Sequence, residues 1–314
     1  MDDFNKKLIS IIVPFYNEEA AVLLFYDAIC KEINTVLSVE FEIICVDDGS
    51  EDETLKHLIG LAKKDSRFHV IELSRNFGKE SALTAGIDVA IGDALIPIDA
   101  DLQDPPSLIP KMINEWLNGA EVVLARRSDR YSDSLFKRKT AKAFYYVHNK
   151  IADITLPDNV GDFRLIDRVV VEAIKKLPEK QRFMKGLFAW VGFKSVTLEY
   201  SRSSRVSGKT KYSIWKLITF AVEGITGFTS LPLRLWLYVG FVLALITACI
   251  LFFIVFKFLI FQVQLTSHSI LFVLILMFGS LQLISVGMLG EYVGRIYMET
   301  KNRPSYIIRK IYNK

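Results

Sequence analysis

The sequence predicts an α/β fold with a mainly parallel sheet, followed by an amphipathic helix and two C-terminal transmembrane helices. Short apolar runs alternate with helical patterns over the first two hundred residues, which is typical of a parallel sheet covered on both faces. After Leu231 the chain instead carries long apolar runs without charged residues. With 314 residues, 51% of them hydrophobic, the chain can bury a full core and still have apolar sequence left over.

Five strands and four helices are predicted in alternation. The strands are predicted at 8–15, 41–47, 68–73, 94–99 and 121–125, and the helices at 19–36, 52–64, 79–91 and 107–117. Beyond them we expect a helix near 135–151, a further segment at 160–168, a mobile basic loop at 201–212 and an amphipathic helix at 214–229. Because ligands of open sheets bind beyond the carboxyl ends of the strands, the segments 14–18, 47–50 and 99–103 should converge on one crevice.

Two uncharged runs, 235–256 and 270–290, are each as long as the roughly 20 residues that cross a bilayer. A pair of buried core helices is the alternative interpretation. Basic residues flank the hairpin on its outer sides, and such residues stay in the cytoplasm. We therefore expect a multi-pass protein of the inner (cytoplasmic) membrane. Its parts are a cytoplasmic domain at 1–212, an amphipathic juxtamembrane helix at 213–231, a transmembrane hairpin at 232–292 and a cytoplasmic basic tail at 293–314.

Composition argues against several other classes of protein. Cys30, Cys45 and Cys249 lie far apart in the sequence, so neither a zinc site nor a disulfide framework is indicated. The net charge of +4 is modest, and the basic residues cluster near the apolar runs instead of alternating with aromatic residues. We expect no nucleic-acid partner, and anionic lipid or pyrophosphate fits the basic residues better.

Two carboxylates follow the fourth predicted strand, at Asp99 and Asp101. Alternate residues of a strand point to the same side, so both carboxylates can approach one ion if the strand geometry persists to that point. Hard oxygen ligands suit Mg2+ or Mn2+, with diphosphate oxygens completing the shell. The alternative is that Asp101 or Asp104 only caps a turn or helix before Pro105.

The second predicted strand also ends in carboxylates, in the sequence Asp47-Asp48-Gly49-Ser50. Gly49 permits a tight turn, and Ser50 can cap the next helix. Capping does not explain two carboxylates ahead of the glycine. A carboxylate such as Asp47 can accept a hydrogen bond from the N–H of a nucleotide base.

Five ordered motifs resemble those of the inverting family 2 glycosyltransferases. They are Ile-Val-Pro-Phe-Tyr-Asn-Glu-Glu at 12–19, Val-Asp-Asp-Gly-Ser at 46–50, Arg-Asn-Phe-Gly-Lys at 75–79, Asp-Ala-Asp-Leu-Gln-Asp-Pro-Pro at 99–106 and Gly-Asp-Phe-Arg-Leu at 161–165. Within that family the chain is most similar to the polyprenyl-phosphate glycosyltransferases, which include dolichyl-phosphate mannose synthases and bactoprenol glucosyltransferases. The resemblance implies a Rossmann-like nucleotide-diphospho-sugar transferase domain of the A type.

The resemblance also implies roles for individual residues. Nucleotide-sugar binding is expected of Pro14, Tyr16, Glu18, Asp47, Lys79 and Asp99, and the metal is expected to bind Asp99, Asp101 and Gln103. Participation in catalysis is expected of Asp101, Asp162 and Arg164, with Arg164 near the phosphates. Asp162 resembles the position of the usual base and is assigned to positioning the acceptor or metal, although capping or pairing with Arg164 is nearly as good an explanation. The basic loop with Arg205, Lys209 and Lys211 is expected to close over the diphosphate and the acceptor head.

A lipid phosphate acceptor needs little deprotonation, because the second pKa of a phosphate monoester is about 6. Two phosphates meeting in one site require counter-charge, which a basic collar after the fifth strand can supply. Its members are Arg126, Arg127, Arg130, Lys137, Arg138 and Lys139. We assign acceptor binding to Arg127 and Arg138, and general surface attraction to the others.

The expected reaction is inverting transfer of one hexose to a polyprenyl phosphate at the cytoplasmic membrane face. Our best candidates are UDP-glucose as donor and undecaprenyl phosphate as acceptor. GDP-mannose, UDP-N-acetylhexosamine and a UDP-aminoarabinose derivative are alternative donors. The Gln-x-x-Arg-Trp signature of processive synthases is absent, so one sugar per cycle is expected. A non-catalytic membrane-bound sensor or scaffold is the alternative of another class, and homo-oligomers stay possible.

Overall fold

A computed structural model describes residues 6–128, 159–179, 182, 184–201 and 268–312, together with single helical positions between 236 and 260. Within these residues eight strands form one sheet in the order β7-β5-β6-β4-β1-β2-β3-β8. The strands are β1 Lys7–Phe15, β2 Val39–Asp47, β3 Phe68–Leu73, β4 Ala94–Pro97, β5 Val122–Arg127, β6 Val160–Asp167, β7 Ser195–Tyr200 and β8 Ile308–Tyr312.

Helices cover both faces of this sheet. They are α1 Glu19–Ile33, α2 Thr54–Lys64, α3 Lys79–Val89, α4 Ile109–Leu117, α5 Arg168–Lys175 and α6 Met184–Trp190, and a 3-10 turn at Pro106–Leu108 precedes α4. A seventh helix, α7 His268–Thr300, has largely exposed apolar side chains. The five strands and four helices predicted before residue 128 are confirmed, with ends displaced by at most a few residues. The helices predicted near 135–151 and 214–229 lie outside the described residues, as does nearly all of the loop at 201–212.

The sheet is mixed, although its centre is parallel. Strands β4, β1, β2 and β3 run parallel to one another, as predicted from the strand–helix alternation. Strand β6 is antiparallel to both of its neighbours, β4 and β5, and β8 is antiparallel to β3. The parallel centre brings the carboxyl ends of β1, β2 and β4 to the same edge of the sheet.

Two hydrophobic clusters sandwich the sheet, and β1 contributes to both. Its residues Ile9, Ile11 and Val13 pack into one cluster, while Ile12 belongs to the other. Successive side chains of a strand point to opposite faces, so a strand covered on both sides is apolar at nearly every position. This explains why the first predicted strand reads as a continuous apolar run.

Close packing of α3 on the sheet depends on Gly86. A Cβ atom at this position would collide with Cγ2 of Ile12 and lie 3.3 Å from Cγ2 of Val46. The absence of a side chain therefore lets α3 approach β1 and β2. This approach fixes the helix that begins at Lys79, beside the carboxyl ends of the strands.

The sequence analysis did not predict strand β8, which comes from the last residues of the chain. It pairs with β3, placing Val70 opposite Tyr312 and Leu73 opposite Ile308. Tyr312 and Ile308 pack against the two different hydrophobic clusters. The basic residues of this segment had suggested only a tail, although Ile307, Ile308, Ile311 and Tyr312 give it apolar residues suited to a strand.

The structure contradicts the predicted transmembrane hairpin. The first predicted span, 235–256, lies largely outside the described residues, and the second, 270–290, is part of α7, which continues through Glu291 and Glu299. No helix in the described part of the chain combines the length and apolar character needed to cross a membrane. The prediction of two transmembrane helices is therefore wrong, and so is that of a multi-pass inner-membrane protein. Both relied on the length of the uncharged runs and on the basic residues that flank them.

Two glycine substitutions test the packing of α3. Gly86→Ala should lower the free energy of unfolding by about 1–3 kcal/mol, because the new methyl group overpacks the contact with Ile12. Gly60→Ala is the matched control, since Gly60 is also helical but a Cβ there would meet nothing within 4 Å. The control should raise stability by about 0.5–1 kcal/mol through helix propensity. Chemical denaturation measures both changes, and a stabilised Gly86→Ala protein would contradict the close packing.

Candidate active site

Three loops meet at the edge of the sheet where β1, β2 and β4 end. In the sheet register Phe15 of β1 lies opposite Asp47 of β2. Ile12 of β1 lies between Ile44 of β2 and Pro97 of β4. The loops that follow these strands contain the predicted segments 14–18, 47–50 and 99–103. The predicted convergence of these segments is therefore confirmed as a consequence of parallel pairing.

Hydrogen bonds tie the loop after β1 to the loop after β2. The backbone N–H of Asn17 donates to Oγ of Ser50 at 3.0 Å, and Asn17 Oδ1 accepts the N–H of Glu51 at 2.8 Å. The N–H of Glu18 donates to Oγ1 of Thr54 at 2.9 Å. The segment with Pro14, Tyr16 and Glu18 is thus fixed against the segment with Asp47.

Asp47 is almost completely buried, and only one of its carboxylate oxygens is paired within the protein. Oδ2 accepts the N–H of Ser50 at 3.2 Å, whereas the buried Oδ1 has no hydrogen-bond partner among the described residues. Burial raises the pKa of Asp47 above its ordinary value, and the bonds from Ser50 offset this only in part. An oxygen in this state is suited to accept a hydrogen bond from a ligand.

Both carboxylate oxygens of the neighbouring Asp48 are paired within the protein. Its Oδ1 accepts the N–H of Phe77 at 2.7 Å and its Oδ2 accepts the N–H of Gly78 at 2.9 Å. Gly49 has a φ of 68°, and a Cβ there would lie 2.5 Å from the carbonyl carbon of Arg75. Asp48 and Gly49 therefore bind the loop that leads to Lys79, a contact that sequence analysis missed.

Lys79 joins two of the predicted site carboxylates. Its Nζ lies 2.7 Å from Oδ1 of Asp99 and 2.7 Å from Oδ2 of Asp162, while the lysine side chain is 30% exposed. Burial lowers the pKa of Lys79, but the charges of Asp162 and Asp99 outweigh burial and hold this pKa well above its usual range. The ammonium group is therefore a permanent positive charge between the ends of β4 and β6.

The predicted metal ligands lie together in the loop after β4. The backbone N–H of Gln103 donates to Oδ1 of Asp101 at 3.2 Å, and Leu102 adopts a φ of 55° to make this turn. Oε1 of Gln103 is buried without a hydrogen-bond partner in the described structure. Over the same residues, no three His, Cys, Asp or Glu side chains are grouped to hold an ion. Two carboxylates and one orphaned amide oxygen nevertheless form a donor set that fits a hard cation.

Arg127 contacts the same loop through a buried polar cluster. Its Nε donates to the hydroxyl of Tyr200 at 3.2 Å, and its Nη2 lies 3.8 Å from Oδ1 of Asp104. Tyr200 in turn donates to Asp104, and burial together with the Asp104 charge raises the pKa of Tyr200 to about 12. Sequence analysis gave no role to Tyr200, since a tyrosine on a late edge strand carries no local signal of this contact.

Arg164 lies deeper than the expected contact with phosphates suggests. It is 3% exposed, its Nη2 donates to the carbonyl of Gly161 at 2.6 Å, and its guanidinium stacks over Phe188 at 4.2 Å. It thus links β6 to α6, and its role toward phosphates stays a prediction. The remaining predicted cations, Arg138, Arg205, Lys209 and Lys211, lie outside the described residues.

Asp47 gives a test that depends on pH. An acid whose pKa is raised by folding destabilises the protein as pH rises past its ordinary value of 3.8, because the folded state then loses a proton less readily than the unfolded state. The stability of Asp47→Asn relative to wild type should therefore increase with pH above that point. Denaturation at a series of pH values checks this, and a stability difference independent of pH would contradict the burial of an ionisable Asp47.

Comparison with known proteins places the chain in a family. Residues 10–175 match the model of glycosyl transferase family 2. A prophage bactoprenol glucosyl transferase homolog of Escherichia coli K12 is 48% identical over 303 residues, which cover 96% of this chain and 99% of that protein. The bactoprenol glucosyl transferase of Shigella phage SfII is 48% identical over 302 residues, covering 96% and 97%. Among solved structures, the mannosyltransferase PcManGT from Pyrobaculum calidifontis, in complex with GDP-Man and Mn2+, is 18% identical with a TM-score of 0.48, covering 71% of this chain and 64% of that one. The chain is thus a member of glycosyl transferase family 2 and a glycosyltransferase.

Proposed function

We propose that this glycosyltransferase transfers one glucose from UDP-glucose to a polyprenyl phosphate, with inversion at the anomeric carbon. The observation that carries the proposal is the set of acidic loops at one sheet edge, where buried oxygens of Asp47 and Gln103 are left for ligands. The full-length similarity to proteins named bactoprenol glucosyl transferases supports the sugar and the acceptor.

The nucleoside is proposed to bind between the loops after β1 and β2. A uracil ring presents an N–H group that can donate a hydrogen bond to Oδ1 of Asp47. This hydrogen bond would offset the free-energy cost of burying that oxygen. Pro14, Tyr16 and Glu18 lie on the loop fixed beside Asp47. Because guanine also presents an N–H group, GDP-mannose stays an alternative donor alongside UDP-N-acetylhexosamine and a UDP-aminoarabinose derivative.

Asp99, Asp101 and Gln103 are proposed to hold Mg2+ or Mn2+ when the donor binds. Such an ion supplies positive charge to the departing diphosphate. Asp99 already contacts Lys79, so the ammonium group and the ligand set share this carboxylate. Lys79 can therefore keep Asp99 in place before binding and interact with a donor phosphate afterwards.

The acceptor step follows from the charge of a phosphate monoester. An oxygen of the acceptor phosphate forms a bond to the anomeric carbon, while the bond from that carbon to the diphosphate oxygen breaks and its electron pair leaves with UDP. Because the second pKa of the acceptor is about 6, a strong base is unnecessary at neutral pH. Asp162 is better suited to positioning, with Lys79 offsetting its repulsion of the incoming phosphate.

An acceptor with a long hydrocarbon chain also agrees with the surface of α7. Large apolar side chains on this helix are widely exposed, among them Leu271, Ile275, Leu283, Val286, Leu289, Val293 and Ile296. Apolar surface of this extent marks sites that bind other molecules. Of the basic residues expected to bind the acceptor phosphate, Arg127 lies within the described part of the chain, and we assign it this role. Contact with a lipid bilayer and assembly into homo-oligomers stay predictions.

A donor screen tests the proposed reaction. Purified protein is incubated with undecaprenyl phosphate, Mg2+ or Mn2+ and each of the four radiolabelled donors, and lipid-linked sugar is extracted and counted. We expect glucose transfer from UDP-glucose, with UDP released only when acceptor is added. Donor binding without transfer across the whole panel would instead support a sensor or scaffold.

The variant Asp101→Ala tests the ligand set. Glucose transfer should fall by at least about 10³-fold, because a charged group facing the leaving diphosphate is lost. Glu40→Ala is the control, since Glu40 is exposed at the opposite, amino end of β2. Both variants should retain the wild-type circular dichroism spectrum, and wild-type transfer by Asp101→Ala would remove Asp101 from the mechanism.

Lys79→Met tests the shared ammonium group. Asp162, whose side chain is only 13% exposed, would lose its counter-charge, so we expect a loss of about 1–3 kcal/mol in unfolding free energy and a fall in transfer of at least about 10²-fold. Lys79→Arg keeps the charge and should lose less. Lys56→Met removes an exposed ion pair with Glu53 and should leave the unfolding free energy nearly unchanged. Equal losses for Lys79→Met and Lys56→Met would contradict the bridging role.

A further inference from the structure

Strand β8 reaches the loop that leads to Lys79 at the start of α3. This loop, residues 74–78, joins β3 to α3. Strand β8 pairs with β3 up to Leu73, and the N–H of Ser74 then donates to the carbonyl of Ile307 at 2.9 Å. Ile307, which precedes β8, is thus hydrogen-bonded to the first residue of the loop.

Side chains of β8 strengthen the contact at the end of β3. Nη1 of Arg309 lies 3.1 Å from Oε1 of Glu72, and the hydroxyl of Tyr312 donates to Oε2 of the same carboxylate at 2.8 Å. Nη2 of Arg309 also donates to the carbonyl of Ser74 at 3.3 Å. Glu72 is buried, and β8 supplies a hydrogen-bond donor to each of its two carboxylate oxygens.

Tyr306 holds the other side of the loop. Its hydroxyl donates to Oδ2 of Asp88 at 2.7 Å, near the end of α3, the helix that begins at Lys79. Burial and the bond to Asp88 both raise the pKa of Tyr306, so the hydroxyl remains a donor throughout the physiological range. The ring packs against the same hydrophobic cluster as Phe77 of the loop. The C-terminal segment therefore contacts both elements that the loop connects.

The face of the loop toward the nucleotide is held by different groups. Asp48 accepts the N–H groups of Phe77 and Gly78, and the backbone at Arg75 lies directly against Gly49. The loop is consequently confined between the Asp48 turn on one side and the C-terminal segment on the other. A displacement on either side would move Lys79 relative to Asp99.

We propose that residues 306–312 form a C-terminal brace that positions the 74–78 loop and Lys79 for donor binding. Tyr306, Arg309 and Tyr312 are positioning residues, because they act through β3 and α3 and contact no proposed ligand group. The inference rests on the proposed function in one respect, namely that the nucleotide binds beside Asp48 and Lys79.

Hydrogen–deuterium exchange of the full chain tests the brace. In Tyr306→Phe/Arg309→Met, exchange of the Phe77 and Gly78 amides should rise at least about tenfold, because opening of the loop becomes less costly. The dissociation constant for UDP with Mn2+ should rise about 3–10-fold, which corresponds to a modest loss of preorganisation. Peptides from α1 and α2 should exchange as in wild type.

The matched control is Tyr297→Phe/Lys301→Met, which makes the same two kinds of change at the exposed end of α7. Tyr297 and Lys301 contact each other there. This control should leave loop exchange and UDP affinity unchanged.

Three outcomes would overturn the inference: unchanged loop exchange in the brace variant, a uniform rise that includes α1 and α2, or faster loop exchange with unchanged UDP affinity. If wild-type protein bound no UDP, the proposed donor would fail, and exchange alone would still decide whether the brace holds the loop.

Discussion

The crowding of negative charge at one edge of the sheet is the constraint on which the rest of the site depends. Parallel pairing brings the ends of β1, β2 and β4 together, and the loops that follow β2 and β4 are rich in aspartate. Like charges this close repel one another and raise the cost of folding. Lys79 offsets this repulsion for Asp99 and Asp162, because its ammonium group lies 2.7 Å from an oxygen of each carboxylate. Its position depends on α3, and therefore on the close approach that Gly86 allows.

The other carboxylates of this edge are stabilised in other ways. Asp48 accepts two backbone N–H groups of the 74–78 loop, and Asp104 accepts the hydroxyl of Tyr200 beside Arg127. Oδ1 of Asp47, in contrast, is buried without a partner in the described structure. A buried oxygen without a partner costs stability, and that cost is recovered only when a ligand donates to it. Asp47, whose Oδ1 lacks a partner among the described residues, is thus the carboxylate proposed to recognise the nucleoside.

Sequence reasoning succeeded where the signal was local. The central strands are apolar at nearly every position, and their loops contain the acidic motifs, so both the elements and their convergence could be predicted. It failed where partners are distant in the chain. Lys79 and Asp162 are separated by 83 positions, and no periodicity links them. The antiparallel insertion of β6 and the contact of Tyr200 with Asp104 also depend on tertiary packing. The transmembrane prediction failed for a different reason, because the length of the uncharged runs and their basic flanks were treated as sufficient.

Strand β8 shows why a C-terminal segment can matter to a site formed by the first half of the chain. Without it, β3 would be an edge strand with unpaired backbone groups and a buried Glu72 lacking its donors. Pairing with β8 removes that edge and supplies the missing counter-charge in one step. Because β3 leads directly into the loop that precedes Lys79, the protection of the sheet edge and the proposed positioning of this lysine rest on the same contacts. Selection for a covered edge would therefore also favour an ordered loop, which couples the stability of the fold to the geometry of the site.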